Sequence, residues 1–228
     1  MQILSVGSKE TLVQVPIEKA AAGGIPIQCC MEQAVRIVQQ YNLEEEHPFL
    51  LTDSWTREPT TRNMVYLLHR GKVGDPLMGR MLERTVDAEF YPSLLKHISF
   101  AMAGFGSVRR VFGRKNGRDG FEHFIGTLRM ASGAVVQIEW MQTNYLEPVW
   151  EFDISGSEGN MQYRSEPAQS FLWEKASGSL SREGENKQLH YNETQRITAR
   201  ELKGLDDIGA MLIQSCSRNE VQEVEVQG

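Results

Sequence analysis

The apolar residues of this chain change their period partway along it. In the first third they come as short runs broken by helical spacing. Leu12-Val13-Gln14-Val15-Pro16 reads as a buried strand that stops where proline removes a backbone donor. In "PIQCCMEQAVRIVQQYN", Ile27, Met31, Ala34, Val35 and Val38 recur at helical spacing, with Pro26 at the entry and Asn42 near the exit. "PFLLTDSW" (48–55) predicts a second short strand. "TTRNMVYLLHRG" (60–71) predicts a helix with Thr60 as N-cap, Met64, Leu67 and Leu68 as its buried stripe and Gly71 as C-cap.

Beyond residue 76 alternation takes over. "LMGRMLERTVDAEF" (77–90) predicts a long strand, and "YPSLLKHISFAMAG" (91–104) a helix with Leu94, Leu95, Ile98, Ala101 and Met102 on its apolar side. From 107 onward, short alternating runs punctuated by Gly117, Ser132-Gly133 and Ser157-Glu158-Gly159 predict antiparallel strands. A helix near 203–217 and a short strand near 221–226 follow, and the polar stretch 175–200 reads as a loose hairpin or loop. The pattern predicts an α+β fold: a short α/β opening, then a large, mostly antiparallel sheet covered by helices on one face.

Composition adds exclusions. The chain has 228 residues, 40% hydrophobic and 24% charged, which is ordinary globular usage. Its net charge of −6 gives no broad positive field for nucleic acid or anionic lipid. No apolar run approaches the ~18 residues of a membrane span, and "MQILSVGSKE" has no signal-peptide core. A cytoplasmic protein without nucleic-acid or membrane partners is the expectation. The basic run from Arg109-Arg110 to Arg118 reads as a strand entering a solvated turn, with an anion site as the alternative. Cys29, Cys30 and Cys216 form no metal spacing; Cys29 and Cys30 read as neighbours on a helix, reduced and half-buried. No metal site is expected.

Six weak motifs in order carry a resemblance. "KETLVQVP" (9–16), "TREP" (56–59), "RGKVGDPL" (70–77), "SLLKHISF" (93–100), "ASGAVVQIEW" (131–140) and "ISGSEGNMQY" (154–163) together resemble the Gfo/Idh/MocA oxidoreductases over nearly the whole chain. The closing helix and strand are similar as well. In that family a strand reading Gly-Lys-x-Val-Leu-x-Glu-Lys-Pro leads to a helix and then a strand ending near Arg-x-x-Pro. A later helix bears Asp-x-Gly-x-His-x-x-Asp. The resemblance implies that residues 1–56 are a remnant of the dinucleotide-binding domain and its crossover, in an N-terminally truncated chain. Residues 57–228 would be the C-terminal α+β domain.

The same resemblance implies NAD or NADP as cofactor and a small-molecule ligand. It also implies association through the open sheet face, or with a chain carrying a Rossmann domain. Two departures weigh against catalysis by this chain alone. No glycine-rich turn is read, so no cofactor is expected to be held here beyond remnant positions Gln14 and Pro16. The family's lysine, placed to polarise a reacting hydroxyl, matches Val15, with Gln14 at the glutamate position. On the later helix Ser93 and Phe100 stand where the family has aspartates, and His97 is kept.

Ser93 and His97, one helical turn apart, share a face. His97 is the candidate catalytic residue, and Arg57, Ser93 and His97 are candidate substrate contacts. Against this stand bland readings: a core histidine without an acid to orient it and a surface arginine at a strand end. Asp53 reads as a turn residue, His69 and His190 as surface, and His123 as facing outward. Trp140, Trp150 and Trp173 read as core or interface. Phe124, Ile138, Trp140, Met141 and Trp150 make partner burial on the open sheet face the expectation.

The first functional reading is therefore a non-catalytic binding or assembly subunit on an oxidoreductase fold. The alternative is an NAD(P)-dependent oxidoreductase, a sugar or polyol dehydrogenase or one similar to biliverdin reductase, whose Rossmann half lies in another chain or a longer parent. A small-molecule sensor is a third. Whether the chain is an enzyme is left open by the sequence.

Overall fold

The computed structural model describes residues 4–6, 14–86, 88–118, 121–144, 146–165, 168–174, 179–181 and 195–224. The first elements are β1 (Leu4–Ser5), α1 (Gln14–Ala22), β2 (Ile27–Cys29), α2 (Met31–Gln40) and β3 (Pro48–Leu51). A 3-10 turn (Trp55–Arg57) and α3 (Pro59–His69) follow. Next come β4 (Pro76–Thr85), α4 (Phe90–Phe105), β5 (Val108–Arg118), β6 (Phe121–Met130) and β7 (Val135–Thr143). The remainder is β8 (Val149–Gly156), β9 (Gly159–Ser165), β10 (Ala168–Glu174), β11 (Ser179–Ser181), β12 (Gln195–Thr198), α5 (Ala199–Arg218) and β13 (Gln222–Glu223).

The chain divides into two compact units, Met1–Arg62 with His190–Asp207, and Asn63–Leu189 with Ile208–Gly228. In the first, β1, β2 and β3 are parallel neighbours and β12 runs antiparallel to β3. Parallel neighbours need crossovers, and α1 and α2 are those crossovers. The strand expected at 11–16 is thus replaced by a helix from Gln14. Pro16 sits in the first turn of α1, where its missing N–H costs nothing. Gly24 then ends the helix at φ +61, with Ile25 N–H bonded to Ala20 O and Gly24 N–H to Ala21 O, the paired C-terminal bonds of a Schellman cap. Cys29 ends β2 and Cys30 precedes α2, so the two thiols do not share a helix.

The second unit is built on a nine-stranded sheet, ordered β11-β10-β9-β8-β4-β7-β6-β5-β13. Every pairing is antiparallel except β4 with β7. The expected α+β layout and the helix at 91–104 are observed. Gly71 closes α3 at φ +66, as its sequence position predicts.

Helices α4 and α5 cover one face of this sheet. Phe90, at the start of α4, lies 4.9 Å from the Phe124 ring and 5.0 Å from that of Trp140. Phe100 lies 4.8 Å from Phe152. Gly79 on β4 leaves room for the Phe105 ring, and Gly113 on β5 for Leu212 and Cys216 of α5. Strand periodicity then sorts every residue by face. Met81, Glu83, Phe124, Ile138, Trp140, Trp150 and Phe152 point toward the helices, while Arg80, Leu82, His123, Ile125, Glu139 and Met141 point away. Of the five large residues expected on the open face, only Met141 lies there. Phe124, Ile138 and Trp140 are core, and Trp150 is half-buried on the covered side.

Candidate functional site

β4 is flanked by β7 and β8, and its register places Glu83 opposite Trp140 on one side and Trp150 on the other. Glu83 therefore projects into the helix-covered layer, where it is 5% exposed. One turn of α4 meets it there: Ser93 and His97 are 3% and 2% exposed. Ser93 Oγ donates to Glu83 Oε1 at 3.3 Å. His97 Nδ1 lies 2.7 Å from the Ser93 carbonyl oxygen and 3.6 Å from Glu83 Oε2. A carbonyl can only accept, so Nδ1 carries the proton and donates it to Ser93 O.

His97 Nε2 is then a lone-pair acceptor, buried and without a hydrogen-bond partner among the described residues; Glu83 Oε2 and Trp140 Nε1 have none either. The Trp150 ring lies 5.5 Å from the imidazole, inclined at 33°. Burial pushes the His97 pKa below the usual histidine value, against the opposing pull of Glu83 and the Ser93 carbonyl; nearby Lys96 lowers it further. The ring is neutral at neutral pH.

The i, i+4 reading of Ser93 and His97 thus describes two side chains that do meet around one acid. That acid, missing from the helix motif, comes from β4. Glu83 escapes a sequence reading because "GRMLERT" places an apolar residue on each parity, Met81 on one and Leu82 on the other. The sign that could have exposed it is that Glu83 shares parity with Met81 and Thr85, both buried.

The other expected site residues belong to the first unit. The side chain of Arg57 lies outside the described residues, as do those of Gln14 and Val15. Pro16 is exposed on α1. In the first unit, the strand that leads through a helix into the strand before "TREP" is β2, and the residues after its end are Cys30 and Met31. Met31 is fully buried, and its backbone N–H donates to Asp53 Oδ1 at 2.7 Å. Asp53, expected as a plain turn residue, caps α2 from the end of β3. A nucleotide phosphate seeks free N–H groups at a helix N-terminus. At α2 one of those donors, the Met31 N–H, is already held by a resident carboxylate.

Burial pushes the thiols of Cys29, Cys30 and Cys216 upward, so none is an activated nucleophile. Among the described residues no group of three or more His, Cys, Asp or Glu could hold a metal, and no helix is long and apolar enough to cross a membrane. His69 is exposed, with Nε2 2.8 Å from Ala103 O; Trp173's side chain and His190 lie outside the described residues. On the open sheet face Glu139 accepts from Arg80 at 2.9 Å and pairs with His123 at 3.1 Å. Burial raises the Glu139 pKa, but the hydrogen bonds from Arg80 and His123 outweigh it and hold the carboxyl below its usual range. A groove of about 230 Å³ beside this network is lined by Arg80, Leu82, Glu151, Asp153, Gln162 and Arg164, among others. Within it Arg164 pairs with Glu151 at 3.1 Å and the Gln162 amide donates to Asp153 Oδ2 at 3.2 Å.

The buried histidines carry a pH signature. Both His97 and His47 have pKa values lowered by burial, so the unfolded chain binds protons more readily than the folded one. Their contribution is complete above the unfolded value of about 6.5 and is lost as pH falls below it. Urea midpoints are expected to fall between pH 7.5 and pH 5, and His97→Gln to flatten that slope. Equal slopes for the two proteins would contradict the buried neutral ring.

At the level of the fold alone, the chain is similar to solved NAD-binding oxidoreductases of the Gfo/Idh/MocA type. Levoglucosan dehydrogenase in complex with NADH and L-sorbose superposes with a TM-score of 0.72 at 12% identity, over 98% of this chain and 80% of that one. An NAD binding oxidoreductase from Klebsiella pneumoniae gives 0.71 at 11% identity, over 97% and 80%. An oxidoreductase from Agrobacterium radiobacter, in complex with NAD+, L-tartaric acid and magnesium, gives 0.63 at 15%, over 91% and 75%. No protein-family model and no curated protein matches the sequence.

Proposed function

We propose that this chain is a binding or assembly subunit built on the fold of NAD-dependent oxidoreductases, and that it does not transfer hydride by itself. The observation that supports this most is the Asp53 carboxylate on the Met31 N–H, which occupies an N-terminal donor of α2 and repels an anion there. The position of the expected lysine adds to it. With β2 as the strand that precedes it, that position is Met31, whose side chain has no proton to give. We read His97, nearly sealed from solvent, as a structural group rather than as a base open to a substrate. The open sheet face, with Leu82, Ile125 and Met141 half-exposed around the Arg80–Glu139–His123 network, is the surface proposed for assembly with a second copy or with a chain carrying a Rossmann domain.

Titration of the purified chain with NADH and NADPH by calorimetry tests the reading. No heat of binding is expected up to millimolar cofactor, and micromolar affinity would overturn it. A second reading has one observation in its favour. The Nε2 lone pair of His97 is unpartnered while Nδ1 holds its proton, the arrangement a general base needs. If the calorimetry finds tight cofactor binding, an NAD(P)-dependent oxidoreductase using His97 becomes the better account.

A further inference from the structure

We propose that Glu83 is a positioning residue for His97: from β4 it faces the protonated Nδ1, holds the ring in one tautomer together with the Ser93 carbonyl, and so fixes Nε2 as a permanent acceptor. Three observations meet in this assignment. Glu83 Oε2 stands 3.6 Å from Nδ1, close enough to favour the proton on that nitrogen though longer than a hydrogen bond. Its other oxygen is anchored by Ser93 Oγ at 3.3 Å, from the same residue whose carbonyl receives the Nδ1 proton. The carboxylate cannot drift, because its strand is held on both sides by β7 and β8 with Trp140 and Trp150 as its register partners.

A carboxylate this deeply buried is costly unless its charge is offset by its neighbours. No hydrogen-bond donor among the described residues reaches Oε2, so the imidazole N–H is the group its charge acts on. The charged groups acting on the ring are Glu83 from the sheet and Lys96 from α4, with the Trp150 ring covering the β8 side. Of these only Glu83 favours a proton on Nδ1. The assignment holds whether or not the chain binds a nicotinamide cofactor, so the calorimetric outcome above leaves it standing or falling on its own evidence.

Nitrogen-15 spectroscopy of the His97 ring tests it in the intact chain. The wild type is expected to show one neutral tautomer, protonated at Nδ1. Glu83→Gln keeps the shape and the packing but removes the charge, and should shift the tautomer ratio toward Nε2–H about tenfold, as loss of one charge-assisted contact would. Glu83→Asp, which retains the charge on a shorter arm, should restore the ratio in part. A Glu83→Gln ratio within about twofold of wild type would overturn the proposal, since a residue that only fills space is replaced by its isostere without electronic consequence. Should Glu83→Gln fail to fold, Glu83→Asp alone decides: a ratio identical to wild type counts against positioning, and a measurable shift toward Nε2–H counts for it.

Discussion

Trp140→Ala is expected to lower the stability of the chain by about 3–5 kcal/mol, the range for removing a large aromatic from a closed core. Trp140 is 1% exposed on β7, with Glu83 of β4 and Phe124 of β6 as register partners and the Phe90 ring 5.0 Å away. Its register partners on both sides belong to hydrogen-bonded central strands, which limits collapse into the space. Trp140→Phe should cost far less, about 2 kcal/mol or below. The indole N–H has no partner among the described residues, so replacing it orphans nothing, and the loss is one of volume alone. Urea unfolding of both variants measures the difference. Should the two cost the same, the layer around Glu83 would not be as closely packed as its burial implies.

The second large effect comes from backbone crowding. A Cβ added at Gly156, the last residue of β8, would stand 2.2 Å from the carbonyl oxygen of Val73. That carbonyl is held in place: it accepts the Glu158 N–H at 2.9 Å, while Ser157 N–H bonds Asp75 O at 3.0 Å and Ser157 Oγ receives the Asp75 N–H at 2.9 Å. Gly156→Ala must therefore part the end of β8 from the 73–75 turn, at about 2–3 kcal/mol. In a chain of this size that lowers Tm by roughly 5–10 °C. Gly79→Ala is the comparison, since its obstacle is the far edge of the Phe105 ring, which can swing aside. Thermal unfolding should rank Gly156→Ala well below Gly79→Ala; the reverse order would mean the 73–75 turn yields easily.

What the sequence made legible follows from how local the signal was. Alternation over 77–90 and helical spacing over 91–104 are properties of single elements; the helix formed where the spacing puts it, while the strand stops at Thr85, short of the expected end. Gly71 was legible for the same reason, because a positive-φ cap is written in one residue. Gln14, Val15 and Pro16 lie on a helix rather than a strand because so short an apolar run cannot distinguish a buried strand from the start of a helix. Pro16 suits a strand end and a first helical turn equally, and the Gly23-Gly24 stop nearby was the better clue. The faces of the large sheet were out of reach. Which parity of a strand meets the helices depends on its neighbours, so Phe124, Ile138 and Trp140 could be placed on a strand but not on a side. Glu83 was hidden by that same ambiguity, and its pairing with His97 joins a strand to a helix across the layer between them.

The single parallel pairing in the large sheet bears on how the molecule comes to fold. On one side of β4 lie β5, β6 and β7, and on the other β8, β9 and β10, each set joined by tight consecutive reversals. Such meanders close small loops and can form early. β4 has no such neighbour: it must find β7 in parallel across the intervening helix and hairpin, and β8 from still further along the chain. Inserting it joins the two meanders. Glu83 travels on that strand, so the acid reaches His97 only when β4 is in place, and the His97 tautomer becomes a natural reporter of that insertion.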